Sequence, residues 1–197
     1  GSDNVNALTR VKRRHEILSV AALEPRKNVH GLLDAMEQVW IQDEGLALRL
    51  IVSARASAEG LHSRLRKLRN AGREIIIESG LSDADLQERY SAAKLFVSAS
   101  LHEGFGLPVQ EALVCGTPVV CFPVGVAANL DSAMGVMTVE TGDARAMSVA
   151  IQRLIGSESD WWAAHEGATH FKPRTWSEFT HGVFQVCSEQ LEIVNGS

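Results

Sequence analysis

In close succession the chain reads Leu95-Phe96-Val97-Ser98, then Glu103-Gly104-Phe105-Gly106-Leu107-Pro108-Val109-Gln110-Glu111, then Cys115-Gly116-Thr117-Pro118-Val119-Val120. The first segment is a short apolar run of strand composition, and the last leads into another. Between them a glycine-rich bend meets a proline suited to the first turn of a helix. Strand, helix and strand in that order form a βαβ unit, whose two strands lie parallel.

The same alternation extends in both directions. Ile17 to Ala22 reads as a first strand, and Asn28 caps a helix whose apolar positions Val29, Leu32, Leu33, Met36 and Val39 keep the 3.6 period. Leu48 to Ser53, Ile75 to Ile77, Leu95 to Ser98, Pro118 to Phe122 and Val136 to Val139 read as further strands. Helices are expected from Ala58 to Asn70, from Ser82 with Asp85 through Ala93, and from Asp143 to near Gly156. Thr175 with Glu178 predicts a last helix to about Val194, with Trp176, Phe179, Val183 and Cys187 as its apolar stripe. Trp161 and Trp162 are expected to anchor packing. The predicted class is α/β: a Rossmann-like, doubly wound parallel sheet of about six strands with helices on both faces.

With 197 residues the chain suits one well-buried core rather than two ordinary domains. Residues 15–197 are expected to form that single domain, with 1–14 a tag remnant, Gly1-Ser2, and a linker. A net charge of −5 argues against a nucleic-acid surface, so any anion site is local. Arg10, Lys12, Arg13 and Arg14 cluster at the domain edge and read as solvated linker charge. The three cysteines, Cys115, Cys121 and Cys187, are odd in number and lack metal-ligand spacing, which fits a reduced, cytoplasmic protein. No apolar stretch approaches the ~20 residues of a transmembrane segment.

In open α/β sheets the ligand crevice lies beyond the carboxyl ends of the strands, where the strand order reverses. If the order is 3-2-1-4-5-6, the loop Leu23-Glu24-Pro25-Arg26-Lys27-Asn28 faces the loop Leu101 to Pro108 across that crevice. Lys27 and Arg26 then supply charge from one wall, and the helix after Gly106 supplies backbone donors and a positive dipole end. Glycines 104 and 106 let the backbone approach a sugar ring. Glu111, about one turn into the helix, can accept from a vicinal diol such as ribose, and Glu103 from a sugar hydroxyl. The combination reads as a nucleotide-sugar site.

These motifs resemble those of the C-terminal, donor-binding domain of retaining glycosyltransferases with the two-domain GT-B fold, in the large family 4 group. The similarity runs from about His15 to Gly156 and rests on Leu23 to Asn28, Gly80 through Tyr90, the paired glutamates Glu103 and Glu111, and Gly116-Thr117-Pro118-Val119-Val120. The resemblance implies that Lys27 and Arg26 contact the donor diphosphate and that Glu103 contacts the transferred hexosyl group. Gly104, Phe105, Gly106 and Leu107 would line the sugar by backbone, Glu111 would bind ribose, and Gly80 and Leu81 would lie near the base. It further implies transfer from a nucleoside-diphosphate sugar to a glycan or lipid-linked acceptor, with no metal ion. An N-terminal acceptor domain absent from this chain would complete the enzyme, so the isolated domain would bind donor without transferring it. A cytoplasmic location, peripheral at the inner membrane face through that other domain, follows by the same analogy.

The chain departs from the family pattern twice. Ala21-Ala22 stand where members often carry an arginine, so Arg26 is expected to replace that charge, and Gly125-Val126-Ala127-Ala128-Asn129 stands where Gly-Gly, Pro and Glu are common. The second change bears on donor preference or activity. His102, beside Glu103, reads as a loop residue. A degenerate scaffolding domain and half of a nucleotide-sugar epimerase remain alternatives. A phosphoacceptor receiver needs an acidic end to the first strand, and a dinucleotide dehydrogenase needs Gly-x-Gly-x-x-Gly there; neither is present.

Overall fold

The structure, a computed structural model, describes residues 13–52 and 60–173. The expected helix from Thr175 to Val194, Cys187, Arg10, Lys12 and the residues before Gly60 in the second helix lie outside the described residues. Six parallel strands form one sheet: β1 Arg14–Ala21, β2 Ala47–Val52, β3 Ile75–Glu78, β4 Ala93–Ser98, β5 Val119–Cys121 and β6 Val136–Thr138. Their order is β3-β2-β1-β4-β5-β6, as the placement of the two polar loops required. Between and after them run α1 Val29–Val39, α2 Leu61–Asn70, α3 Asp83–Ala92, α4 Leu107–Val114, α5 Ala144–Gly156 and α6 Glu158–His170.

Both faces of the sheet are buried, which is why its strands read as apolar runs rather than as alternations. On one face Ile17, Leu48, Leu50, Val97 and Val120 pack with Leu32, Leu33 and Met36 of α1, Leu61 and Leu65 of α2, and Met147, Ile151 and Leu154 of α5. On the other, Leu18, Ile51, Phe96 and Val119 pack with Tyr90 of α3, Val109, Ala112 and Leu113 of α4, and Ala168 of α6. Trp40, fully buried past the end of α1, donates its indole N–H to Leu46 O at 2.7 Å, so its one polar atom is satisfied inside the core.

The caps anticipated from sequence at Asn28 and Ser82 are in place, and Asp143, where a helix was expected to begin, is a third. Asn28, Ser82 and Asp143 accept from the backbone N–H of Gly31, Asp85 and Ala146. Asn28 does so from a left-handed conformation, φ 49°, and a Cβ at Gly31 would fall 2.4 Å from its side chain. The sharp entry into α1 therefore needs both residues.

Three features differ from the expectations. The helix from Ser82 ends at Ala92, and Ala93 already opens β4. Helix α6 was not anticipated, although Trp161 within it is buried as an anchor, donating its indole N–H to Lys94 O at 2.7 Å. Arg13 is not solvated linker charge. Its Nη1 reaches Thr117 Oγ1 at 2.6 Å and the carbonyls of Tyr90 and Ala93, and its Nη2 reaches those of Cys115 and Gly116. Arg14 does remain at the surface, within 3.6 Å of Glu88. Cys121 is buried in β5, which pushes its thiol up to about 12, and Cys115 is half-buried. Among the described residues no helix is long and apolar enough to cross a membrane.

Candidate nucleotide-sugar site

Because β1 and β4 are neighbours, with Leu18 opposite Phe96, the segments leaving their carboxyl ends meet. The first turns through a short 3-10 helix, Pro25–Lys27, before Asn28 starts α1. The second runs past His102, an exposed loop residue, to Gly106 and α4. One backbone bond, Leu101 N–H to Arg26 O at 2.7 Å, ties the two loops together. The side chains then complete the contact: Lys27 Nζ lies 2.6 Å from Glu103 Oε1, and Arg26 Nη1 lies 3.7 Å from Glu103 Oε2.

Lys27 and Glu103 side chains are each only 10% exposed, so the pair is largely withdrawn from water and screened little by salt. Arg26 is more open and also binds Glu24 Oε2 at 2.7 Å. Two cations and two carboxylates thus make a locally neutral set. The Lys27 ammonium has three donors and gives one to Glu103, leaving two for an arriving anion.

Gly106 precedes α4 with φ 85°, a conformation that favours glycine. Among the described residues no acceptor meets the N–H groups of Gly104, Phe105 and Gly106. Leu107 and Pro108 open α4; Pro108 carries no N–H and Val109 N–H donates to Gly106 O at 3.1 Å, while among the described residues no acceptor meets the Leu107 N–H. The side chains of Phe105 and Leu107 are exposed. A Cβ added at Gly104 would meet nothing within 4 Å.

Glu111 lies on the exposed side of α4, where the Tyr90 hydroxyl donates to its Oε2 at 2.7 Å. Gly80, φ 68°, and Leu81 form the turn between the end of β3 and Ser82, the cap of α3. All the residues singled out from sequence therefore lie on segments beyond the carboxyl ends of the parallel strands. The ion pairs bring Arg26, Lys27 and Glu103 together directly. Glu111 is linked to α3 rather than to that set, and Gly80 and Leu81 sit at the other end of the same helix.

Two segments singled out in sequence make contacts that the sequence did not predict. The loop Gly125–Asn129 forms a 3-10 helix that seats against the glutamate motif: Val126 N–H donates to Phe105 O at 2.9 Å, and a Cβ at Gly125 would fall 3.0 Å from both Glu103 Cβ and Phe105 O. The loop thus seats against the bend that carries Glu103. Thr117 Oγ1 donates to Tyr90 O at 2.6 Å, locking the end of α3 to the turn before β5. The sequence pointed to the loop Gly125–Asn129 as bearing on the donor and to Gly116-Thr117-Pro118 by resemblance, but to neither contact.

Beneath α3 lies a partly buried charge network. Arg49 on β2 binds Glu16 on β1 through two bonds of 2.9 Å and Glu78 on β3 at 2.9 Å, and Glu78 also binds Arg89 of α3 at 3.0 Å. The Arg89 bond, followed by that from Arg49, holds the Glu78 carboxyl below the usual glutamate range. The bonds to Glu16 raise the Arg49 guanidinium in turn. The network fixes α3 on the sheet, and with it the helix end that carries Tyr90.

This six-stranded parallel sheet with helices on both faces is Rossmann-like and matches the fold of GT-B glycosyltransferases. The chain belongs to the family described as Glycosyl transferases group 1, whose family model matches residues 3–170. It is 32% identical to the O-antigen chain mannosyltransferase B of Escherichia coli over 167 residues, 83% of this chain and 43% of that protein. The chain thus spans less than half of that relative's length. Among solved structures it is similar to the C-terminal domain of a glycosyl transferase group 1 family protein, LpcC, from Francisella tularensis. That match has a TM-score of 0.66 and 20% identity, and covers 78% of this chain and 82% of that one. It is also similar to the catalytic domain of starch synthase IV from Arabidopsis thaliana bound to ADP and acarbose, with TM-score 0.70 and 16% identity, covering 90% and 38%. At such identities these structures show the shared fold alone.

Proposed function

We propose that this chain is the donor-binding domain of a retaining, family 4 glycosyltransferase that moves a hexosyl group from a nucleoside-diphosphate sugar to a hydroxyl of a glycan or lipid-linked acceptor. The observation that supports this reading most is the 2.6 Å contact of Lys27 with Glu103 between the exits of β1 and β4. A cation and a carboxylate so close suit the junction of a donor, where a charged diphosphate joins a hydroxylated sugar.

On this reading Lys27 and Arg26 take diphosphate oxygens and Glu103 holds a sugar hydroxyl. The backbone of Gly104, Phe105, Gly106 and Leu107 faces the sugar, Glu111 takes the ribose diol, and Gly80 and Leu81 lie beside the base. As the bond from the anomeric carbon to the diphosphate oxygen lengthens, negative charge grows on that oxygen. The Lys27 ammonium and the N-terminus of α4 then stabilise it more strongly than they stabilise the intact donor. These groups do the neutralising, so the reading includes no metal ion.

Acceptor recognition is assigned to a second, N-terminal domain of the full-length protein, which also decides any association with the cytoplasmic membrane face. The name of the Escherichia coli relative puts mannose first among the sugars to test. Titration calorimetry with UDP, GDP, ADP and their sugars tests the assignment. Each charge-assisted contact to a diphosphate contributes about 1.5–3 kcal/mol, so Lys27→Ala is expected to weaken the best ligand by roughly ten- to a hundredfold. Glu111→Ala should weaken it by about tenfold. Unchanged binding in both variants would refute the site, and silence from every nucleotide would favour a scaffolding domain. Sugar transfer by this chain alone would rule out the need for a second domain.

A further inference from the structure

Glu111 is exposed, and a carboxylate on the surface of a helix ordinarily samples several rotamers. Here one oxygen is held. Tyr90, 1% exposed, donates its hydroxyl to Oε2 at 2.7 Å, and among the described residues no other hydrogen bond reaches that carboxylate. Tyr90 is itself fixed at every part. Its ring packs edge-on against Phe96 with centroids 5.5 Å apart. Its carbonyl accepts from Thr117 Oγ1 at 2.6 Å and from Arg13 Nη1 at 3.2 Å. The preceding residue, Arg89, is bound to Glu78 in the network under α3.

We propose that Tyr90 is a positioning residue for nucleotide selection: it clamps Oε2 of Glu111 so that Oε1 is aimed at the ribose, making the site selective for ribonucleotides over 2′-deoxyribonucleotides. The inference rests on Glu111 taking the ribose. A hydrogen bond that orients a charged acceptor before the ligand arrives removes ordering entropy from the binding step. A diol recognised by a fixed carboxylate also discriminates more sharply than one met by a mobile side chain, because the deoxy analogue leaves a set acceptor without its donor. Burial, and then the charge of Glu111, raises the Tyr90 phenol, so it remains a donor throughout the neutral range. The same helix begins at Ser82, next to Gly80 and Leu81, so one rigid element carries both the base-side turn and the tyrosine.

Calorimetric titration of the whole chain with UDP, GDP and ADP, each paired with its 2′-deoxy counterpart, tests this in wild type, Tyr90→Phe, Glu111→Ala and the double variant. Tyr90→Phe keeps the ring, and the freed carboxylate stays in water, so circular dichroism and the melting temperature should hardly change. The ribose preference is expected to be about tenfold in wild type, to fall to about two- to threefold in Tyr90→Phe, and to vanish in Glu111→Ala. The double variant should bind as Glu111→Ala does. If Tyr90→Phe keeps the full preference while Glu111→Ala loses it, the clamp is wrong and the ribose assignment stands. An equal loss from Tyr90→Phe with and without Glu111 would mark a merely structural hydroxyl and overturn the proposal. If Glu111→Ala leaves binding and preference unchanged, or no nucleotide binds at all, the ribose assignment fails and takes the clamp with it.

Discussion

Arg13 lies just ahead of β1 and closes the amino edge of the sheet by itself. Its guanidinium is partly buried with no carboxylate at ion-pair distance among the described residues, and burial lowers its proton affinity. Five acceptors on Tyr90, Ala93, Cys115, Gly116 and Thr117 take the place of a counter-charge. Gly116 O is shared with His165 Nδ1 at 2.6 Å, so α6 is fastened to the same point. Removing the fork takes from Cys115 O its Arg13 donor and leaves the Tyr90 and Gly116 carbonyls with only their bonds from Thr117 and His165. Arg13→Ala is accordingly expected to lower unfolding stability by about 3 kcal/mol in a urea titration, and Arg13→Lys to recover only part of it, because an ammonium cannot span five acceptors. A wild-type midpoint in Arg13→Ala would show that the cluster is bound without consequence. In sequence this arginine is one of four basic residues within five positions, and only the carbonyls it reaches distinguish it from its neighbours.

Helix α6 and the turn before β6 interlock through two glycines. A Cβ at Gly167 would fall 2.6 Å from Gly135 N and 2.8 Å from Ala133 O, and one at Gly135 would fall 2.5 Å from Ala164 O. Both obstacles are backbone, so the helix itself would have to move away. Gly167→Ala should cost about 2–3 kcal/mol despite alanine's better helix propensity. Gly156, at the end of α5, is the control: no atom lies within 4 Å of its added Cβ, and Gly156→Ala should stabilise by about 0.5 kcal/mol. Melting both variants together checks the contrast, and equal shifts would contradict the packing argument. The glycines also explain why α6 was missed. Of its residues only Trp161, Gly167 and Ala168 are buried, so its inner face carries one aromatic and two small residues in place of an apolar stripe.

Across the molecule, β1, β2, β3 and α3 are joined by Glu16, Arg49, Glu78 and Arg89, a charge network placed where a doubly covered sheet is ordinarily apolar. Glu78 titrates lower in the fold than in the unfolded chain, chiefly through Arg89 and then Arg49. Its contribution is complete above the ordinary glutamate value and is lost as pH falls through the folded one, because protonation then breaks bonds to both arginines. Unfolding free energy should therefore decline below about pH 4, and Glu78→Gln should be less stable at pH 7 yet lose less between pH 5 and 3. Asp85, held low by Ser82, titrates in the same direction in both proteins. Parallel acid profiles for wild type and variant would remove Glu78 from the account.

The alternation of strand and helix, the six strands and the loops bearing Lys27 and Glu103 were legible because each depends on neighbours close in the chain: apolar runs, caps, glycines and a proline in the first helical turn. Even the meeting of those two loops needed only the common strand order. The partners of Arg13, the hydroxyl that Tyr90 gives Glu111, the seat of Gly125 against Glu103 and the charges under α3 all join residues far apart in sequence. No local propensity or period encodes such pairs. They exist only once packing has brought separate helices and strands to within hydrogen-bond distance.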